Sequence, residues 1–392
     1  MSGIAAPMGT LPTVTLSTVT LPTDGPLRLS PRPLAQRNAQ YAEQFDAETL
    51  FYDVYRRGPD IVFQGPPLLN LAEPVLAAPL LRNPLGPLFR RMRRIERHKA
   101  SEIRLRSAAD AVVLDGPLGP IPITVQPDGS DLFAGRRVLH SLSKDNAPRW
   151  IADWIRFYRE IHGADAVLLY DNGSTRYSAA GLEADLRAAF PDMLIVVLLW
   201  PFKYGPQGGW AGAVDGVEAP WDSDFCQTGS LQHARQRFLQ RARSVLNVDI
   251  DELVIGPEPI FAATERSRDG FIKFEGQWVS AATPEPVAPE ASRHHHFIHR
   301  DLAESDGCPP KWCIAPPRCE SDGYTWSVHN LFGARANRRI DPRFTFRHFR
   351  AINNNWKADR KLDETFAADR LVVDEPLAAA LAQAGLGEAG GP

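Results

Sequence analysis

Lysine, cysteine and long apolar runs are all scarce in this chain of 392 residues. Only seven of its 44 basic residues are Lys, the remainder being Arg, and 47 acidic residues bring the formal charge to −3. A chain this close to neutral lacks the basic surplus on which general nucleic-acid binding draws, so no nucleic acid is expected as a partner. Four Cys (Cys226, Cys308, Cys313 and Cys319) are too few for a disulfide scaffold at this length. No apolar run reaches the roughly 18 residues that a membrane-spanning helix needs. The first 25 residues also lack the basic-then-apolar order of a secretory signal. Together these absences set the expectation of a soluble, cytoplasmic protein.

What is present is globular in character: 44% hydrophobic and 23% charged residues. Proline is abundant at 34 residues, which favours stiff loops and short helices. Residues 1–30 are rich in Thr, Pro and Leu without a sustained period and read as a disordered tail. Residues 31–136 read as a β-rich module, because apolar runs such as Asp60–Phe63, Gly65–Asn70, Ala111–Leu114 and Ile121–Val125 stand between Gly/Pro turns. The Arg-rich stretch 88–97 reads as a solvated helix face, with peripheral membrane contact as the alternative.

From Arg137 the pattern changes to strands alternating with helices. Val138–Leu142 reads as a strand, with Asn146 as the helix cap and Pro148 in the first turn. Trp150, Ile151, Trp154, Ile155 and Tyr158 then recur on one helical face up to a stop at Gly163. Strands over Ala166–Tyr170, Met193–Leu199 and Ser244–Val248 alternate with helices over about 179–190 and 230–242. The fold class is therefore α/β, a mostly parallel sheet with helices on both faces, over residues 137–375. Residues 376–392 read as a low-order tail. In such sheets ligands bind beyond the carboxyl ends of the strands, where the polar turns Ser143–Asn146 and Asp171–Thr175 fall.

The strongest chemical signal is Asn247-Val-Asp249-Ile-Asp251-Glu252. Placed on a strand, Asp249 and Asp251 project to one side while Ile250 packs opposite. Two carboxylates crowded together repel and lose hydration, and a hard divalent ion, Mn²⁺ or Mg²⁺, resolves that conflict. Such an ion would also neutralise a diphosphate leaving group. A solvated strand end is the plain alternative. A phosphatase of the haloacid type would carry its carboxylate pair on the first strand, and here the pair comes late.

Three motifs, Ser143-Lys-Asp-Asn with Trp150, Trp154 and Ile155 following, Tyr170-Asp-Asn-Gly-Ser174, and Val248-Asp-Ile-Asp-Glu252, make the segment from about Arg137 to Lys357 resemble the family 92 and family 2-like glycosyltransferases of GT-A fold. The resemblance implies a metal-dependent transfer of a sugar from a nucleoside-diphosphate donor to a hydroxyl of a glycan or polysaccharide precursor. Ser143, Lys144, Asp145, Asp171, Asn172 and Asp249 would line the donor, with Asp171 at the base or ribose. Asp249, Asp251 and His348 would hold the metal, His348 because Arg347-His-Phe-Arg350 is similar to the family's terminal segment. Lys144 stands where many relatives carry an acidic residue, which leaves it open to touch phosphate and leaves the role of Asp145 unassigned.

An inverting transfer needs a carboxylate or His near the acceptor hydroxyl. Glu275, Asp301 and Glu304 are candidates of which none stands out, and Glu275, His329, Trp356 and Lys357 are expected on the acceptor side. The His294-His-His-Phe-Ile-His299 block and the three clustered Cys together invite a structural zinc, but the spacing is not the tight Cys-x2-Cys type; the cysteines read as core thiols, and the His block has no assigned role. Two competing readings remain. One is a carbohydrate- or nucleotide-sugar-binding protein of the same fold without catalysis. The other, a nucleotidyl or phosphoryl transferase, would want a Gly-rich phosphate loop, which is absent.

Overall fold

The computed structural model describes residues 14–82, 91–97, 99–206, 222–354 and 365–387, with two short strands at 213–214 and 217–218. The chain is α/β and is built on one eight-stranded sheet. Its strands are numbered here in chain order: β1 Arg137–Ser143, β2 Ala166–Asp171, β3 Leu194–Leu199, β4 Ser244–Asn247, β5 Glu252–Ile255, β6 Phe271–Val279, β7 Cys308–Ile314 and β8 Thr345–Phe349. Across the sheet they run β3-β2-β1-β4-β7-β6-β8-β5. The β3, β2, β1 and β4 half is parallel. The other half is mixed: β7 is antiparallel to both neighbours, β6 and β8 are parallel, and β5 closes the edge antiparallel to β8. The mostly parallel sheet expected from the alternation thus holds for the first half only, because a tight turn follows β4 and, of the later connections between sheet strands, only the one between β5 and β6 carries an α-helix, the short segment Ile260–Arg266.

Alternating residues of the parallel strands enter two cores. Leu139, Val167, Leu169 and Ile195 pack with helices α1 (Pro148–His162) and α2 (Ala179–Ala189). Val138, Leu168, Tyr170 and Val196 pack on the other face against α3 (Phe225–His233). Helix α1 follows its sequence pattern, with Pro148 in its first turn, the five predicted apolar residues buried, and Gly163 at φ 69° ending it. Its cap differs from the expectation. Asn146 donates its amide to Ser143 Oγ at 2.9 Å instead, and Ala147 holds the cap position without a side-chain bond.

Helix α3 begins five residues before the expected start, and it ends in a wide turn at Ala234–Phe238 and a tight one at Leu239–Arg241. The wide turn lets both Arg235 and Arg237 point inward.

The N-terminal part has its own antiparallel sheet, formed by Asp53–Arg57, Asp60–Gly65, Ala100–Arg106 and Met92–Arg97, and its own core around Val54, Phe63, Ile103 and Leu105. The strand expected over Gly65–Asn70 ends at Gly65, after which Leu69–Leu71 forms a tight helical turn. At Gly65 a β-carbon would lie 2.3 Å from the Leu50 carbonyl oxygen.

The Arg-rich stretch is a strand over Met92–Arg97, not a helix face; residues 88–90 lie outside the described residues. Arg97 there is buried against Glu102 at 2.9 Å, because that carboxylate and the backbone carbonyls of Asp322 and Tyr324 draw it inward. Among the described residues no helix is long and apolar enough to cross a membrane.

Two segments that read as tails are packed in their described parts. Val19–Thr20 pairs with Thr49–Phe51, and Arg28 is buried with three backbone carbonyls as acceptors. Helix α4 spans Ile260–Arg266, and α5 spans Glu375–Gln383 with Asp374 accepting from the Leu377 N–H. Leu377 and Leu381 of α5 close the same core as α1.

Candidate functional site

The polar turns converge at the carboxyl edge of the parallel strands. Ser143, Asp171 and Leu199 share one register row across β1, β2 and β3. Asp171 is buried where β2 ends, and its carboxylate accepts from the Ser174 hydroxyl and, more weakly, from the Ser174 N–H at 3.3 Å. Burial raises its pKa, with the nearby Asp145 charge adding to the effect and Ser174 opposing it. Asp145 sits at φ 52°, a region that Asp tolerates better than most residues. It is held there from both sides: its N–H donates to Ser174 Oγ at 2.7 Å, and its carboxylate accepts from the N–H groups of Thr175 at 2.7 Å and Arg176 at 3.1 Å. Asp145 therefore clasps the first turn to the second.

Asn172 has a bracing geometry. Its amide donates to the carbonyls of Trp200 and Phe202, both at 2.8 Å, fixing the chain that leaves β3. The backbone carbonyl of Lys144 accepts from the Asn354 amide at 2.6 Å, which brings the segment after β8 back to the first turn.

Asp249 and Asp251 do not lie on a strand. Strand β4 ends at Asn247, and residues 249–252 form a tight turn closed by a 3.1 Å bond from the Glu252 N–H to the Asp249 carbonyl. The same-face argument for the two aspartates fails here, because the turn lets β5 start only five residues after β4 ends. The two carboxylates go to different partners. Asp249 Oδ2 lies 2.7 Å from the Lys311 ammonium, which also reaches Glu252 Oε2 at 3.1 Å. Asp251 Oδ2 lies 3.1 Å from His348 Nε2. The predicted metal set is thereby divided, with Asp251 and His348 together and Asp249 paired to a cation of the chain's own.

His348 is part of a row. Register aligns Trp278 of β6, His348 of β8 and Glu252 of β5, and the Trp278 and His348 rings stack at 4.2 Å. Burial works against the imidazolium. The charge and hydrogen bond of Asp251, with Cys308 and Glu252, outweigh it and raise the His348 pKa to about 10. Burial likewise pushes the Glu252 carboxyl up, with Lys311 opposing.

The turn is held from below by groups on α1. Tyr158 donates its hydroxyl to the Glu252 carbonyl at 2.9 Å and accepts from the Val254 N–H at 3.0 Å. His294 Nε2 donates to the Ile250 carbonyl at 2.9 Å, and its other nitrogen lies 3.7 Å from Asp153 on α1. The leading member of the His block is thus a strut beneath the acidic turn.

On the predicted acceptor side, His329 meets the Pro310 carbonyl at 3.0 Å, and its loop is tied to β4 because Asn247 donates to Val328 O at 2.9 Å. Glu275 is exposed and stands three positions before the Trp278 row, with its side chain on the opposite face of β6. Asp301 pairs with Arg370 at 2.9 Å, and Glu304 pairs with Arg350. Trp356 and Lys357 lie outside the described residues.

Among the described residues no set of three His, Cys, Asp or Glu side chains is arranged to hold a metal ion. Asp251 and His348 would offer Mn²⁺ or Mg²⁺ an oxygen and, once the imidazolium gives up its Nε2 proton to solvent, a nitrogen side by side, with the remaining positions left to water and phosphate oxygens.

Sequence reasoning missed Lys311, Glu252, His294 and Trp278. A signal existed for Lys311: a Lys within the otherwise apolar run Trp312-Cys-Ile-Ala needs a buried anion.

No family model matches this chain, and no curated protein matches it.

Proposed function

We propose that this chain is a metal-dependent glycosyltransferase of GT-A type that moves a sugar from a nucleoside-diphosphate donor to a hydroxyl of a glycan or polysaccharide precursor. The observation that supports this reading is the convergence at one sheet edge of the Asp145–Ser174–Asp171 clasp, the acidic turn and His348. They come from four separate stretches of chain and meet beyond the carboxyl ends of parallel strands.

In this reading Asp171, rigidly oriented by Ser174, accepts from the base or ribose, and Lys144 faces the phosphates. Asp251 and His348 hold the ion, which when bound neutralises the departing diphosphate. Asp249, already charge-paired, contacts the ribose. A binding protein of the same fold is the second reading, favoured because the candidate bases Asp301 and Glu304 are both engaged in ion pairs.

The test is thermal shift with Mn²⁺ and a panel of nucleoside diphosphates, on wild type and Asp251→Ala. One nucleotide should stabilise wild type only with metal, and should fail to do so in the variant. No shift with any nucleotide would defeat the donor-site reading. Nucleotide binding without hydrolysis of any nucleotide sugar would favour the binding protein.

A further inference from the structure

The acidic turn carries three carboxyl groups in four residues, and among the described residues two cationic side chains divide them. His348 takes Asp251, and Lys311 takes Asp249 and Glu252. Lys311 is 1% exposed, and its ammonium is held from β7, whose neighbours Trp312 and Cys313 are wholly buried. Glu252 Oε2 accepts from the Lys311 ammonium and, at 2.9 Å, from the Asp249 N–H, so a single oxygen closes the turn around the ammonium. In a chain whose basic residues are overwhelmingly Arg, this place is filled by Lys. A compact point charge with three donors fits between two carboxylates where a planar fork would not.

We propose that Lys311 is a positioning residue that excludes metal from half of the acidic turn. Its ammonium fills the place at Asp249 and Glu252 that a divalent ion would otherwise take, and confines any site metal to Asp251 and His348. The confinement rests on the metal-dependent reading given above, whereas the exclusion at Asp249 and Glu252 stands without it. Two oxygen-donor carboxylates converging on one point are a hard-cation arrangement once the ammonium is withdrawn. Among the described residues, Lys311 is the charge that separates this half of the turn from a second metal site.

The experiment is Mn²⁺ titration followed by the electron paramagnetic resonance signal of free Mn²⁺, on wild type, Lys311→Met, Lys311→Arg and the double variant Lys311→Met/Glu252→Gln. Lys311→Met should bind one Mn²⁺ more per chain than wild type, at least tenfold tighter than any additional binding to wild type. Lys311→Arg should show no gain, and the double variant should lose it. Mn²⁺ should also raise the melting temperature of Lys311→Met more than that of wild type, a gain that a purely structural lysine would not produce. Should Lys311→Met not fold alone, Lys311→Gln, which keeps a donor without the charge, serves in its place.

Equal Mn²⁺ binding by wild type and the uncharged variants overturns the proposal, as does an equal gain in Lys311→Arg. Extra Mn²⁺ in Lys311→Met together with none in wild type would uphold the exclusion while defeating metal-dependent transfer, so the two readings fail separately.

Discussion

His233 Nε2 and Asp53 Oδ2 lie 2.8 Å apart across the seam between the N-terminal sheet and the large sheet, and neither side chain is exposed. Because the imidazole donates to a carboxylate through Nε2, its Nδ1 accepts, and the Tyr170 hydroxyl of β2 donates to it at 2.7 Å. Arg237 adds a second donor, this one charged, to the same Asp53 oxygen at 2.8 Å. Nearby, Gln64 donates to the Gly229 carbonyl of α3 at 3.0 Å. These bonds run through the cores of both parts, so the β-rich module is tied to the strand that carries Asp171.

Asp53→Asn should therefore destabilise the whole chain. It leaves the Arg237 guanidinium buried beside a neutral amide, and breaking a buried pair in this way costs about 3–5 kcal/mol. The measurement is urea unfolding followed by fluorescence and circular dichroism together. Wild type and variant should each give one coincident transition, the variant's at lower urea. A separate early transition for the N-terminal part would contradict the weld.

Two other histidines make stability fall in acid, against an opposing contribution from Glu252, whose carboxyl burial pushes up to about 7. Burial pushes His140 and His162 each down to about 4, and His162 is locked as a neutral ring that donates to Val254 O at 2.8 Å and accepts from Ile260 N–H at 3.1 Å. Between pH 6.5 and 4 the unfolded chain takes up these protons and the native state does not. Their contribution is intact above about pH 6.5 and falls away as pH drops toward 4, by up to about 3 kcal/mol for each ring. Asp153, held down to about 2 despite its burial by His294 and Arg293, adds a separate loss between about pH 4 and 2. Urea midpoints measured from pH 7 to 4.5 should fall steeply in wild type and less steeply in His162→Gln. Parallel profiles for the two proteins would remove His162 from this account.

Legibility in the sequence tracked how local each cause is. Strands β1 and β2, helix α1 and its stop at Gly163 follow from spacing and turn chemistry within a few residues of each position. The edge where the polar turns gather was legible too, because strand–helix alternation puts the turns after β1 and β2 at one end of a parallel sheet. The shape of the acidic turn was not. Period-two alternation describes a strand, and residues 249–252 leave the strand because β5 must return along β8. Partner choice was equally hidden: Lys311 meets Asp249 from 62 positions away, and Asp53 meets His233 from 180. Which charge neutralises which is decided by packing, and composition alone allows many pairings.

His294 offers a test of the strut beneath the acidic turn. Its bond to the Ile250 carbonyl is the direct link from α1's Asp153 to the residue between the two aspartates. His294→Ala should cost about 1–3 kcal/mol of stability by leaving a buried carbonyl unpaired. It should also weaken Mn²⁺ binding several-fold, because Asp251, the ligand in the proposed reading, follows Ile250 directly. Glu290→Ala, four residues before His294 and exposed, serves as the control and should change neither quantity appreciably. Mn²⁺ titration and urea unfolding on the two variants decide it, and equal behaviour would show that the turn keeps its shape without the strut.

Gly229 shows how the seam reaches the site through packing. A β-carbon there would lie 2.4 Å from the ring of Tyr52. That ring cannot step aside, since Trp200 and Phe202 contact it with centroids at 4.9 and 4.5 Å. Gly229→Ala should therefore destabilise by about 1–3 kcal/mol, the usual range for overpacking. The strain should pass to the carbonyls of Trp200 and Phe202, which are the acceptors of the Asn172 amide beside Asp171. Adding Tyr52→Leu removes the ring edge that clashes, so the double variant should be more stable than the sum of the single effects by at least about 0.5 kcal/mol. Urea unfolding of the four proteins in the cycle measures that coupling. Additive losses would mean that α3 shifts away from Tyr52, leaving the segment after β3, and with it the Asp171 turn, undisturbed.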